Sequence, residues 1–212
     1  SDLLNKEFSS NIFIKAENLQ KIGAFKFRGA MNSILKLDDD KKNVLAWSSG
    51  NHAQAIASAC YLTNKNATIV MPEDSPNAKL NGTKSWGANV VTFDRYSESR
   101  EEIGTNLAKE INAEIIPPFD HPDVINGQGT VGYEIINDCK KNNLIPDLVL
   151  CCCGGGGLIA GVSTAIKAEY PNIPVYAVEP EDYNDTFLSL KNNKITEVDV
   201  SKKSICDSLL AS

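Results

Sequence analysis

Short apolar runs alternate with longer stretches of helical periodicity along nearly the whole chain. The runs Ile12–Ala16, Val44–Ser48, Thr68–Met71, Val90–Phe93, Glu114–Ile116, Leu148–Cys153 and Val175–Val178 predict strands. Between them, apolar positions three and four apart predict helices over Phe25–Leu37, His52–Thr63, Asn77–Trp86, Glu98–Ile111, Val124–Lys140, Leu158–Glu169 and Asp185–Leu190. Strand and helix in strict alternation imply parallel pairing with right-handed crossovers. The expected fold is therefore α/β, with mostly parallel twisted sheets flanked by helices. From Val44 to Ile111, strand-helix units recur about every 22–25 residues. Pro117-Pro118 then punctuates the chain. This organisation predicts a small subdomain over 41–119 and a larger, ligand-holding subdomain built from 1–40 plus 120–212, cut at both ends. Ligands in such sheets lie beyond the carboxyl ends of strands, so a cleft between the two is the expected site.

Composition narrows the function. With 212 residues, 42% hydrophobic and 23% charged, the chain has the make-up of an ordinary globular protein and not that of a disordered or fibrous one. No stretch approaches the roughly 20 apolar residues of a membrane span. A net charge of −6 without a basic stripe argues against a nucleic-acid or anionic-membrane partner and leaves a small molecule. Six cysteines, three of them consecutive at Cys151-Cys152-Cys153, show no C-x-x-C spacing, and His52 and His121 are the only imidazoles. Neither a disulfide framework nor a zinc site is expected. The cysteines suit a reducing compartment, and no signal-peptide pattern opens the chain, so a cytoplasmic location is expected.

Three segments carry chemistry. Gly154-Gly155-Gly156-Gly157-Leu158 follows a buried strand and opens a helix, so free backbone N–H groups and the helix's positive end make a cradle for a phosphate or another anion. A flexible strand-to-helix turn would need fewer glycines. Gly155-x-Gly157-x-x-Ala160, with Glu179 about 20 residues on, also satisfies the dinucleotide fingerprint, which keeps a nicotinamide-dependent oxidoreductase open. In Phe25-Lys26-Phe27-Arg28-Gly29-Ala30 a lysine lies between two aromatic residues at a helix start, where desolvation favours a neutral, nucleophilic amine. Ser48-Ser49-Gly50-Asn51-His52-Ala53-Gln54 joins a strand end to a helix start and reads either as a second anion-receptive turn or as a helix cap.

In this order and spacing, Phe-Lys-x-Arg-Gly-Ala, Ser-Ser-Gly-Asn-His-Ala-Gln and Gly-Gly-Gly-Gly-Leu resemble the fold-type II pyridoxal-phosphate enzymes. The likeness is to the serine/threonine dehydratase and serine racemase branch, which includes threo-3-hydroxyaspartate dehydratases. It implies that Lys26 carries pyridoxal 5'-phosphate and takes the substrate's α-proton. It further implies that Asn51 bonds the cofactor's 3'-oxygen, that Phe25 lies beside the ring, and that Gly154, Gly155, Gly156, Gly157 and the Leu158 N–H hold the phosphate. Ser48, Ser49, Gly50, Asn51 and His52 correspond to the loop that grips the substrate carboxylate, and Gln128-Gly129-Thr130 falls on a segment near the cofactor.

The resemblance implies a dehydratase (ammonia-lyase) that converts a β-hydroxy amino acid such as threonine, serine or hydroxyaspartate into a keto acid and ammonia by β-elimination. Ser49 matches the second acid/base of the racemase pattern and keeps serine racemase activity as the alternative. Glu179, the carbonyl of Tyr183 and Asp185 match the spacing of the branch's magnesium or calcium ligands, oxygen donors suited to a hard cation. The plain reading of the same segment is an acidic loop opening a helix. Cys151-Cys152-Cys153 departs from the aliphatic run usual there and reads as core packing. A homodimer is the family expectation.

Overall fold

The computed structural model describes residues 1–199 and 204–209. Four strands, β1 (Asn43–Trp47), β2 (Asn66–Pro72), β3 (Asn89–Phe93) and β4 (Ala113–Ile115), form one sheet in the order β3-β2-β1-β4. Every pair is parallel, with Val44 opposite Ala67 and Glu114, and Ile69 opposite Val90. The sheet is covered on both faces, which is why its strands read as continuous apolar runs. On one face Val44, Ala46, Ile69 and Met71 pack against Ala53, Ile56, Ala57 and Cys60 of α3 (Asn51–Leu62) and Ile34 of α2 (Lys26–Leu35). On the other, Leu45, Val70 and Phe93 meet Ala108 of α5 (Arg100–Glu110), with Trp47 and Ile103 beside them. Helix α4 (Asn77–Ser85) links β2 to β3.

The chain reverses direction of growth at β1, since β2 and β3 are added on one side and β4 on the other. Such a switch point opens a crevice beyond the strand's carboxyl end. The turn Ser48–Gly50 lies there, between β1 and α3.

A second, two-stranded parallel sheet pairs β5 (Val149–Cys152) with β6 (Val175–Val178). Helices α6 (Pro122–Lys141) and α7 (Gly157–Glu169) cover the face carrying Val149 and Cys151, through Val131, Ile136, Val162 and Ile166. Alternation sends Leu150 and Cys152 to the opposite, exposed face with Tyr176 and Val178. All six cysteines are free thiols, with Cys151 and Cys153 buried as packing residues. Among the described residues, no helix is long and apolar enough to cross a membrane.

One local expectation fails. Residues 12–16 make no strand, because no neighbouring strand offers them a ladder among the described residues; Phe13 and Ile14 stay exposed. A short helix, α1 (Asp2–Phe8), not among those expected from the sequence, precedes them without a buried residue. The remaining helix, α8 (Asp185–Asn192), falls where the periodicity places it.

Helix α6 lies unusually close to α2 and α7 because glycines face each other. A Cβ on Gly127 would come within 2.6 Å of the Arg28 carbonyl oxygen and of the Gly29 Cα, and one on Gly161 within 2.5 Å of the Gly129 nitrogen. Both neighbours are backbone and cannot step aside. Gly161→Ala is therefore expected to cost about 2–3 kcal/mol, as overpacking does. Gly82→Ala, whose added methyl meets only the end of the Gln54 side chain, is expected to be neutral or stabilising by about 0.5 kcal/mol. Thermal denaturation of the two variants checks this, and equal melting temperatures would refute the close-packing account.

Candidate active site

Lys26 is the first residue of α2, and the local sequence turns the chain sharply to put it there. Ile22 and Gly23 both take left-handed conformations, with φ of 64° and 75°. For a β-branched residue this costs about 1–3 kcal/mol. Packing of Ile22 against the core of the four-stranded sheet holds the turn in place. The amine of Lys26 then donates to the Pro118 carbonyl at 2.5 Å. It lies 5.4 Å from the centre of the Phe25 ring and 5.9 Å from that of Phe119. Burial among these groups lowers its pKa to about 8. An ordinary lysine holds its proton far more firmly, so this amine is poised for nucleophilic use near neutral pH.

The glycine turn lies against the same segment. Gly156 has φ of 80°, which only glycine adopts readily. A Cβ on Gly155 would strike the Phe119 ring at 2.5 Å from Cε1, and one on Gly157 would meet the Phe119 carbonyl oxygen at 2.8 Å. Side chains are thus excluded at three successive positions, so the turn carries no side chains of its own at the N-terminus of α7, although the Phe119 ring lies against it. An open cavity of about 290 Å³ lies there, lined by Gly155–Gly157, Phe119, Asp120, Ile125 and Ala160. One aromatic residue therefore touches the cradle and stands beside the lysine. The sequence offered only a proline pair followed by an aromatic residue as its signal, and reading that pair as punctuation missed Pro118 and Phe119 as site residues.

The third segment divides. Ser48 and Ser49 line a groove of about 270 Å³ beyond the ends of β1, β2 and β3, together with Phe93, Arg95, Ser99 and Arg100. Arg95 pairs with Asp74 at 2.6 Å and Arg100 with Glu101 at 2.6 Å. These arginines were not read from the sequence, which marks them only as surface charge. Ser48 Oγ accepts the Gly50 N–H at 3.1 Å, which shapes the turn, and Asn51 is exposed at the first position of α3. His52 is different, because its ring is 3% exposed and sits 2.9 Å from the Ile116 carbonyl. A carbonyl only accepts, so Nε2 carries a proton. Burial, followed by the charge of Lys26, pushes its pKa down to about 3. The imidazole faces the core, so its own backbone N–H is what His52 presents to the turn. The other imidazole, His121, caps α6 by accepting the Asp123 N–H at Nδ1.

Glu179 and Asp185 lie beyond Cys153 from the cradle. Both carboxylate oxygens of Glu179 accept backbone N–H groups of the first turn of α8, from Thr186 and Phe187 at 3.0 Å each. This capping role leaves Glu179 poorly placed to receive a ribose. Asp185 Oδ1 is buried without a hydrogen-bond partner. Burial and the Glu179 charge push its carboxyl upward. Among the described residues, no group of three or more histidine, cysteine, aspartate or glutamate side chains is placed to hold a metal ion. Tyr183 between them is buried.

A parallel α/β scaffold with an easily deprotonated lysine at a helix start, joined through one aromatic residue to a side-chain-free anion cradle, defines a class. It suits enzymes that hold a phosphate-bearing carbonyl compound on a lysine. The chain belongs to the pyridoxal-phosphate dependent enzyme family, whose model matches residues 1–212. It is 45% identical over 204 residues to the L-threo-3-hydroxyaspartate ammonia-lyase of Saccharomyces cerevisiae, covering 95% of this chain and 61% of that protein. It is 43% identical to the serine racemase of Schizosaccharomyces pombe, covering 95% and 62%. Among solved structures, maize serine racemase superposes with a TM-score of 0.93 at 38% identity, covering all of this chain and 63% of that one. The chain spans about three fifths of the length of these curated relatives.

The depressed basicity of Lys26 has a thermodynamic consequence in the cofactor-free protein. Its pKa lies below the ordinary 10.5, so the unfolded chain binds the extra proton and burial of Lys26 costs stability at neutral pH. Lys26→Met is expected to be about 2–3 kcal/mol more stable than the parent at pH 7. That advantage should be complete below about pH 8 and should disappear as the pH climbs to 10.5. Denaturant titrations at pH 7 and above 10 measure it, and a difference independent of pH would mean that the amine is not desolvated.

Proposed function

We propose that the protein is an ammonia-lyase that removes water from a β-hydroxy amino acid, serine, threonine or hydroxyaspartate, and releases a keto acid and ammonia. The observation that carries this is the Lys26 amine, lowered in basicity and standing beside Phe119, which itself lies on the glycine cradle. Pyridoxal phosphate fits this arrangement, since a cradle without side chains suits its phosphate and a neutral amine suits its carbonyl. When bound, it supplies a sink for the electron pair left at the substrate's α-carbon.

The chain's own residues do the rest. The N–H groups of Gly154 to Gly157 and Leu158 hold the phosphate, Asn51 meets the ring oxygen and Phe25 flanks the ring. The turn Ser48, Ser49, Gly50, Asn51 and His52 receives the substrate carboxylate on its hydroxyls and on the backbone N–H groups opening α3. Lys26 Nζ, once free and neutral, takes the α-proton. The β-hydroxyl leaves with a proton as water, and hydrolysis of the resulting enamine gives the keto acid and ammonia. Ser49 faces its groove from the end of β1, and a proton returned from its hydroxyl to the other face of the α-carbon gives the enantiomer. Serine racemisation is thus the second activity.

In this reading a magnesium or calcium ion bound by Glu179, the Tyr183 carbonyl and Asp185 stabilises the loop before α8. The unpartnered buried oxygen of Asp185 supports it, and a hard cation would satisfy that atom. The working form is a cytoplasmic homodimer, with residues 41–119 as a small subdomain and 1–40 with 120–212 as part of the cofactor-binding one.

Borohydride reduction of the full-length protein with pyridoxal phosphate, followed by peptide mass spectrometry, is expected to leave the pyridoxyl group on Lys26. Keto-acid and chiral assays on the three substrates then separate elimination from racemisation, and Ser49→Ala is expected to lower racemisation at least tenfold more than elimination. Pyridoxyl groups scattered over surface lysines, or none at all, would overturn the assignment.

A further inference from the structure

Helix α2 begins irregularly. In α3, α5, α6 and α7 the fourth N–H closes on the carbonyl of the residue before the helix: Gln54 on Gly50, Ile103 on Ser99, Ile125 on His121 and Ala160 on Gly156, at 2.9–3.4 Å. In α2 the corresponding carbonyl, that of Phe25, accepts the Arg28 N–H at 3.0 Å. The fourth N–H, that of Gly29, donates to the side-chain oxygen of Gln128, from α6, at 3.2 Å. Gln128 is 1% exposed. Its amide lies flat on Gly29, where a Cβ would come within 2.9 Å of the Gln128 Cδ. Phe25 contributes no side-chain cap to the same turn.

We propose that Gln128 is a positioning residue for Lys26, acting through the first turn of α2, whose buried fourth N–H it satisfies from across the α2–α6 contact. A helix start without a side-chain cap frays, because its first N–H groups have no intrahelical partners. The residue that loses its place when this turn frays is Lys26. Gln128 fixes the turn from a neighbouring helix that also packs on the cradle's helix, so lysine and cradle share one reference frame. The outer side of the turn is held separately by Arg28, which bonds Glu17 at 2.8 Å and Glu134 at 2.7 Å. That clamp points away from the amine, and Gln128 supplies the inner one. The ionisable group that senses Lys26 is His52 on α3, neutral at any pH above about 3.

This role rests on Lys26 being the reactive amine, yet its test does not use the cofactor. In the full-length protein stripped of cofactor and reductively methylated with carbon-13 formaldehyde, the dimethylamine resonance of Lys26 reports its titration. Gln128→Met, similar in size but without an acceptor, is expected to raise that pKa by about one unit, toward an ordinary lysine. Gln128→Leu, which likewise has no acceptor for the Gly29 N–H, is expected to raise it by a similar amount. Asn32→Ala removes another α2–α6 bond, to the Asp123 carbonyl at 2.7 Å, one turn further on. It should lower the melting temperature while leaving the Lys26 titration alone. If Gln128→Met does not fold, Gln128→Leu decides. An unchanged titration in the folded Gln128 variants, or an equal shift in Asn32→Ala, would overturn the proposal and leave Gln128 as a structural residue. Loss of borohydride labelling at Lys26 in the parent protein would instead count against the cofactor assignment and not against this contact.

Discussion

The closeness of α6 to its two neighbours is what the rest of the site depends on. Lys26 sits at the start of α2 and the cradle at the start of α7, and α6 lies against both. Ordinary helix pairs keep their axes about 8–10 Å apart because side chains intervene. Here Gly127 meets the backbone of Arg28 and Gly29, while Gly129 and Gly161 meet each other. Backbone against backbone leaves no rotamer to adjust, so the separation is set by hard contact. A lysine and an anion cradle that must hold opposite ends of one small molecule need such a fixed spacing, and reactive geometry tolerates errors of well under an ångström.

The second tie is the short strap from Ile116 to Phe119. Its carbonyls and ring reach all three chemical segments: Ile116 accepts from His52, Pro118 accepts from Lys26, and Phe119 covers Gly155 and Gly157. Two consecutive prolines restrict φ and give the strap few alternative shapes. Their missing N–H groups also matter, since the half-buried part of the strap then has no donors to satisfy. The strap follows β4, at the sheet edge beside β1, so the switch point of the sheet delivers it to the same crevice as the Ser48–Gly50 turn.

How much of this was legible in the sequence follows from how local each signal is. Strands β1, β2, β3 and β5 were readable because burial on at least one face leaves an apolar imprint, and β6 carries the same imprint although three of its four residues are exposed. Residues 12–16 carry the same imprint, but a strand also needs a ladder partner, which no local pattern guarantees. The glycine turn was legible as a strand-to-helix turn that excludes side chains because its composition has few other uses. The strap was not, because Pro118 meets Lys26 across 92 residues of chain. His52 shows the converse: its residue type suggests chemistry, whereas its position on the buried side of α3 makes it a core donor to Ile116. Gln128 entered only through the family resemblance, as part of a segment near the cofactor, and its contact with Gly29 emerges only from helix packing.

Electrostatics orders what remains. Lys26 and His52 are bases sharing one poorly solvated region, and protonating both would bring two positive charges together where water cannot screen them. The conflict is resolved at His52, which burial first and the Lys26 charge second keep neutral, while the Ile116 carbonyl only orients the ring through Nε2–H. Lys26 also faces a carbonyl, Pro118, which can receive its proton in a hydrogen bond but cannot neutralise its charge. A carboxylate in that place would have held the amine protonated. A carbonyl keeps it oriented while leaving the cost of desolvation unbalanced, which is why its pKa falls to about 8 and not upward. In the proposed function the same substitution of a dipole for a counter-ion runs through the glycine turn, whose backbone N–H groups would receive a phosphate without a fixed positive side chain. Groups that only orient, and never neutralise, leave the reacting nitrogen free to change its charge.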